Sequence, residues 1–223
     1  TDEDGHQGYG ISLSAPNQPG VTDNPVVTTL AGSGSQGYVD GTGTSAKFYA
    51  PRGITSDGTN LYVVDTGNHR ISKIVISTGV VSTFAGAPAG SSSSGSTNGT
   101  GTAARFNGPT GITTDGTNLY VVDHGNHRIR KIVISTGVVT TVAGTGSSGF
   151  LDSNTGTSAK FYNPRGITTD GTNIYVADGN NNRIRKIVKS TGVVTTFAGS
   201  GSSGSSDGTG TAASFKTQYG IYT

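Results

Sequence analysis

The chain has 223 residues and a net charge of +2. That is enough for one domain with a sizeable core, and too close to neutral to call for nucleic acid or an anionic membrane as partner. Cysteine is absent, which excludes disulfides and thiolate metal sites, and no apolar run approaches the roughly 18 residues of a membrane span. Methionine is also absent and position 1 is Thr1, so the chain is expected to have lost its start, by signal removal, processing or the choice of segment. Only 31% of the residues are hydrophobic and 37 are glycine. The apolar residues nevertheless cluster, as in Leu61-Tyr62-Val63-Val64 and Ile74-Val75-Ile76, with turn residues between them. That is strand-and-turn punctuation rather than disorder.

Taken in chain order, residues 1–25 come first. Tyr9-Gly10-Ile11-Ser12-Leu13 alternates like a strand, and Ala15–Pro25 holds three prolines and reads as a loop or a poor edge strand. Then a sentence is written three times, beginning at Gly53, Gly111 and Gly166, a step of roughly 55 to 58 residues. In its second copy Gly111-Ile112-Thr113-Thr114 is an inner strand and Asp115-Gly116-Thr117-Asn118 a hairpin turn. Leu119–Val122 is a second strand, apolar on both faces. Arg128–Ile134 is a third and Val138–Gly144 a fourth.

The fourth-strand pattern also occurs at Val26–Gly32, Val80–Gly86 and Val193–Gly199, and a fourth inner strand is expected at Tyr219–Tyr222. The second and third strands occur three times only. The expected fold is therefore all-β, a β-propeller of about four four-stranded blades, with units at 26–79, 80–137, 138–192 and a partial 193–223. The last blade is split between the ends. Residues 1–25 complete it, in the same or a neighbouring molecule, and Tyr9, Ile11, Leu13, Tyr219 and Ile221 are the expected strand-exchange positions. Exchange between molecules makes a homo-oligomer or, head to tail, a fibre.

The segments Asp65-Thr66-Gly67-Asn68-His69-Arg70-Ile71, Asp123-His124-Gly125-Asn126-His127-Arg128-Ile129 and Asp178-Gly179-Asn180-Asn181-Asn182-Arg183-Ile184 resemble the core of the NHL repeat. The flanking Pro-Arg-Gly-Ile at 51–54 and 164–167 is similar to that of secreted bacterial NHL-repeat proteins. The resemblance covers about 26–223 and implies a β-propeller, typically six-bladed, whose members mostly bind other molecules. It also implies an alternative, since some relatives are enzymes with a metal in the central channel.

The residues themselves favour structure over catalysis. Asp65, Asp123 and Asp178 close the second strands, and Arg70, Arg128 and Arg183 open the third, five residues on. Pairing within each blade is expected, because an active site needs its groups once rather than in every repeat. Phe48, Phe106, Phe161 and Phe215 precede the inner strands and are read as wedges between adjacent sheets. The other basic residues of the third strands are read as a solvated face. The histidines are His6, His69, His124 and His127, and they form no catalytic spacing.

The loops Asp40–Thr44, Asn98–Thr102, Asn154–Thr157 and Asp207–Thr211 are rich in oxygen. Such loops can hold calcium, but one acid at most in each core falls short of a calcium loop. Turns held by side chains are the simpler reading, and no cofactor is expected. Asn98-Gly99-Thr100 is the single N-glycosylation sequon. The reading at this point is a non-enzymatic extracellular or cell-surface module of a bacterium. Its expected partners are itself or other extracellular proteins and glycans. The alternative is a metal-dependent lyase or lactonase-like propeller, against which stand inner strands that carry threonine and no acid or histidine.

Overall fold

The structure is a computed structural model and describes residues 26–222. Each repeat is one antiparallel sheet. In the first blade the strands run Pro51–Ser56, Asn60–Asp65, Arg70–Val75 and Val80–Gly86 from the inside outward. The second blade has Ile112–Thr114, Asn118–Asp123, Arg128–Val133 and Val138–Ala143. The third has Ile167–Thr169, Asn173–Asp178, Arg183–Val188 and Val194–Ala198.

Hairpins set the register. In the Asp-Gly-Thr-Asn turns the first carboxylate accepts from the two backbone N–H groups that follow, as Asp57 does from Thr59 and Asn60 at 2.9 and 2.7 Å. It also accepts from the hydroxyl of the second-strand tyrosine, 2.9 Å away in each of Tyr62, Tyr120 and Tyr175. The glycine of each turn, Gly58, Gly116 or Gly171, has a positive φ that a side chain would strain.

The first two sheets carry a fifth, outermost strand of two residues, Gly41–Thr42 against Val80–Val81 and Gly99–Thr100 against Val138–Val139. The Asp40 and Asn98 loops are thus short strands followed by a 3-10 turn, where the sequence suggested turns alone. Two residues are too few for a period to show.

Blades stack on their faces. One core cluster joins Tyr62, Val64, Ile71 and Ala85 of the first blade to Ile112, Leu119, Val121, Ile132 and Val139 of the second. Its counterpart joins Tyr120, Val122 and Ile129 to Ile167, Ile174, Val176, Ile187 and Val194. Phe106 and Phe161 sit fully buried in these two seams, where an aromatic ring fills the wedge that two twisted sheets leave between them.

Around the axis, successive inner strands touch through glycine. A Cβ on Gly53 would meet the Thr110 carbonyl at 2.7 Å, and one on Gly111 the Arg165 carbonyl at 2.5 Å. One on Gly166 would meet the Tyr219 carbonyl at 2.9 Å. Residues 219–222 therefore occupy a fourth inner position, although they form no ladder among the described residues. Gly220 does not continue the series, for only Tyr222 atoms lie near its missing Cβ.

Val26–Leu30 corrects the sequence reading. It is not a strand, and Val26 and Val27 are 82% and 97% exposed. A fourth strand needs a third strand to pair with, and the described residues supply none for it. The segment expected to complete that blade, with Tyr9, Ile11 and Leu13, lies outside the described residues.

Candidate functional site

The repeated Asp is the hub of each blade. Asp65, Asp123 and Asp178 are fully buried. One oxygen of each accepts the backbone N–H of the incoming linker, at Tyr49, Asn107 or Tyr162, over 2.7 to 2.8 Å. The other accepts from an asparagine side chain three residues on, Asn68, Asn126 or Asn181, at 2.7 to 2.8 Å. That amide also donates to a linker carbonyl, of Gly37, Gly95 or Gly149. The Asp-x-x-Asn spacing was visible in every copy, and its asparagine was overlooked.

The arginine partner differs from the expected one. Arg70 pairs with Asp65 at 2.9 Å, but Asp123 pairs with Arg130 at 2.8 Å and Asp178 with Arg185 at 2.9 Å. Arg128 and Arg183 turn outward instead, donating to the carbonyls of Thr145 and Ser200. Residues i and i+2 of a strand share a face. Ser72 is small, so in the first blade Arg70 can reach the Asp. In the other two blades an arginine at that i+2 place reaches it and displaces its neighbour. Arg70, Arg130 and Arg185 are all fully buried, so the basic residues of the third strands are not simply a solvated face.

Each buried guanidinium is also held by the preceding loop. Arg70 lies 3.5 Å from Asp40, Arg130 donates to Asn98 Oδ1 at 2.9 Å, and Arg185 donates to Asp152 at 2.6 Å. Asn98, the sequon residue, is exposed while its Oδ1 is engaged in this way. Burial pushes the Asp123 and Asp178 carboxyls upward, against the pull of the linker N–H, the asparagine and the arginine.

His69, His127 and Asn182 occupy one repeat position in the left-handed conformation, with φ of 54°, 52° and 51°. Each accepts a backbone N–H from the entry to the next blade. Gly108 donates to His69 Nδ1 at 2.8 Å, Asn163 to His127 Nδ1 at 3.2 Å, and Thr217 to Asn182 Oδ1 at 3.3 Å. Burial pushes both histidines below their ordinary pKa, and His124 adds to the effect on His127. Among the described residues no group of three His, Asp or Glu side chains is placed to hold a metal ion.

Two depressions among the described residues bear on binding. The first is the groove along the axis, about 370 Å³, lined by Gly53, Gly111, Gly166 and Gly220 with the residues before and after each. The second is the outer face of the third blade, a depression of about 440 Å³ lined by Tyr175, Ile184, Phe197, Phe215, Ile221 and Tyr222. There Phe215 is half-buried, as is Phe48 at the opposite end of the array, while Phe106 and Phe161 between them are sealed.

The NHL repeat family model matches residues 106–132 and 161–187. Over 163 residues the chain is 32% identical to NHL repeat-containing protein 2 of Bos taurus, a match covering 68% of this chain and 22% of the relative. It is 29% identical over 180 residues to SUPPRESSOR OF QUENCHING 1, chloroplastic, of Arabidopsis thaliana, covering 78% of this chain and 17% of that protein. The chain therefore spans about a fifth of the length of these curated relatives. Among solved structures, an auxiliary nutrient binding protein from Bacteroides thetaiotaomicron VPI-5482 shares the fold with a TM-score of 0.58 at 20% identity. That likeness covers 76% of this chain and 42% of the other. The matched segments hold the Asp-x-x-Asn hubs and buried arginines of the second and third blades, and the chain is an NHL-repeat protein with an all-β propeller fold of about four blades.

Proposed function

We propose that this protein is a non-enzymatic structural and binding module, displayed outside a bacterial cell, that joins copies of itself through its unfinished blade. The observation that carries this reading is the linker 199–217. It repeats one backbone hydrogen bond of the three linkers before it. Gly204 N donates to the Phe215 carbonyl just as Gly37, Gly95 and Gly149 do to Phe48, Phe106 and Phe161. Those three linkers each seat a blade. This one closes with the same bond, and among the described residues no blade sits on it.

Asp207, the counterpart of Asp40, has no partner among the described residues, whereas Asp40 accepts the N–H and hydroxyl of Thr83 at 2.8 and 3.1 Å. Thr29 is the counterpart of Thr83 and lies in the exposed Val26–Leu30 segment. Val27 is the counterpart of Val81, Val139 and Val194, which are 2%, 1% and 0% exposed. The two ends of the array thus carry matching halves of one interface, and a second copy's Val26–Leu30 fits the third blade's open face. Such a contact is heterologous, and it generates a ring or a filament. A non-enzymatic role is supported by the axial groove, whose charged side chains are arginines. These bind anions but do not exchange protons near neutrality. The Ser-, Gly- and Thr-rich loops support display outside the cell, with other extracellular proteins or glycans as further partners.

Sedimentation velocity over a wide concentration range tests this. The wild type should exceed the 22.4 kDa of one chain as concentration rises, and Val27→Asp or Phe197→Asp should hold it to single particles. A wild type that stays single, or variants that associate unchanged, would overturn the reading.

A further inference from the structure

The axial groove has a charged mouth that the propeller scaffold does not use. Arg52 and Arg165 hold the same place in two inner segments, Pro51-Arg52-Gly53-Ile54 and Pro164-Arg165-Gly166-Ile167, and Thr110 and Tyr219 hold it in the other two. All four line the groove. A β-bulge sits there in each complete blade. In the second, Thr110 donates to the Val122 carbonyl while Val122 donates to the Gly111 carbonyl, so two residues oppose one. Bulges re-aim side chains at the rims of barrels and binding sites.

The three fully buried arginines, Arg70, Arg130 and Arg185, are each neutralised by an aspartate within 2.9 Å. Arg52 and Arg165 have no acidic partner among the described residues. The Arg165 guanidinium lies over the Tyr219 ring, 4.6 Å from its centroid. It passes beside Gly179, where a Cβ would come within 3.3 Å of Nε. The repeat position of Gly179 carries Thr66 and His124 in the other blades, so its missing side chain is what gives the guanidinium room. Nε of Arg165 is buried with no hydrogen-bond acceptor, an unmet donor of the kind that costs free energy unless a partner arrives.

The positive field is felt nearby. His124 holds its Nδ1 2.8 Å from the Pro164 carbonyl. Burial lowers its pKa, and both Arg165 and Arg52 lower it further. Two arginines on different blades thus line one groove and both act on His124 of the blade between them.

We propose that the mouth of the axial groove binds a compact oxyanion, the carboxylate, phosphate or sulfate group of a ligand, between Arg52 and Arg165. Planar guanidinium forks suit such groups because two parallel N–H donors match two oxygens. Tyr219 fixes the Arg165 plane and offers the ligand an aromatic wall. A single aromatic side chain does not make the stacking series a nucleic-acid strand needs.

Isothermal titration with inorganic phosphate, sodium sulfate and sodium acetate at low ionic strength tests the site. Saturable binding by at least one of the three is expected, and the one preferred identifies the head group. Arg52→Ala and Arg165→Ala should each weaken it about tenfold or more, with Arg165→Lys falling between. Arg128→Ala, at an outward-turned arginine, should leave it unchanged. Arg52 is exposed, so its removal leaves the fold intact, which circular dichroism checks. The Val27→Asp variant should bind equally well, since the site is complete in each copy; a failure of self-association therefore leaves this result standing. Absence of saturable binding, or equal weakening by Arg128→Ala, would overturn the proposal.

Discussion

The seam between the second and third blades and the outer face of the third blade are made of the same residues in different states. In the seam, Tyr120, Ile129, Ala143 and Phe161 are 4% exposed or less. Their counterparts Tyr175, Ile184, Ala198 and Phe215 are half-buried, and Phe197 beside them is 53% exposed. Sequence identity at a repeat position thus does not decide burial; the presence of the next blade does. In an array where each unit touches only its neighbours, the end faces are interfaces that lack their second half. Apolar side chains gathered on one exposed face are what the proposed association would cover.

The sharpest way to test that difference is to make one deletion in both places. Phe106→Ala or Phe161→Ala empties a sealed seam and should cost about 3–5 kcal/mol in urea unfolding. Phe215→Ala in single particles should cost less, about 2 kcal/mol, because its ring is only partly withdrawn from water. At concentrations where copies associate, the Phe215→Ala cost should grow. Equal costs at high dilution would mean that the third blade's outer face is already covered.

A second test sets the buried arginines against their outward neighbours two residues away. Arg130→Ala leaves Asp123 buried without its cation, and breaking such a pair costs about 3–5 kcal/mol. Arg128→Ala loses one bond to the Thr145 carbonyl at the surface and should stay within about 0.5 kcal/mol. If the two variants unfold alike, the guanidinium seated on Asp123 is not that of Arg130.

Most of the scaffold was legible because its signals are local. Period-two apolar runs between Asp-Gly-Thr-Asn and Ser-Thr-Gly turns specify hairpins, and the three strong copies at Gly53, Gly111 and Gly166 specify their stacking. The arginine register was not legible. Arg128 and Arg130 lie on one strand face, and only the size of residue 72 against residue 130 distinguishes which of them reaches the Asp. Val26–Leu30 misled for a different reason. Its pattern is that of a fourth strand, yet strand structure depends on a partner that pattern cannot supply. The charged mouth of the groove was half visible, as a repeated Pro-Arg-Gly-Ile. Its character emerged only when the blades placed Arg52 and Arg165 at one opening without an acid between them.

The smallest effect concerns the joints between blades, and here the three copies form a natural series. Two joints use a histidine as acceptor and the third uses Asn182. An imidazole accepts through Nδ1 only while neutral, so protonation removes the bonds from Gly108 and Asn163. Burial holds His69 and His127 below their unfolded pKa of about 6.5. Between the folded and unfolded values the unfolded chain binds more protons, so stability rises with pH across that window. The contribution is complete above the unfolded pKa and is lost as pH falls through the folded one. Each bond should be worth about 0.5–1.5 kcal/mol. The double variant His69→Asn and His127→Asn copies the third joint into the other two. It keeps an acceptor, and asparagine tolerates the left-handed backbone. Its midpoint of unfolding should match the wild type near neutrality and fall less as pH is lowered, with His124 and, at lower pH, the shifted carboxyls supplying the slope that remains. A double variant that tracks the wild-type pH profile throughout would show that the joints do not depend on a neutral imidazole, and that the His–His–Asn series is interchangeable for some reason other than the bond each residue accepts.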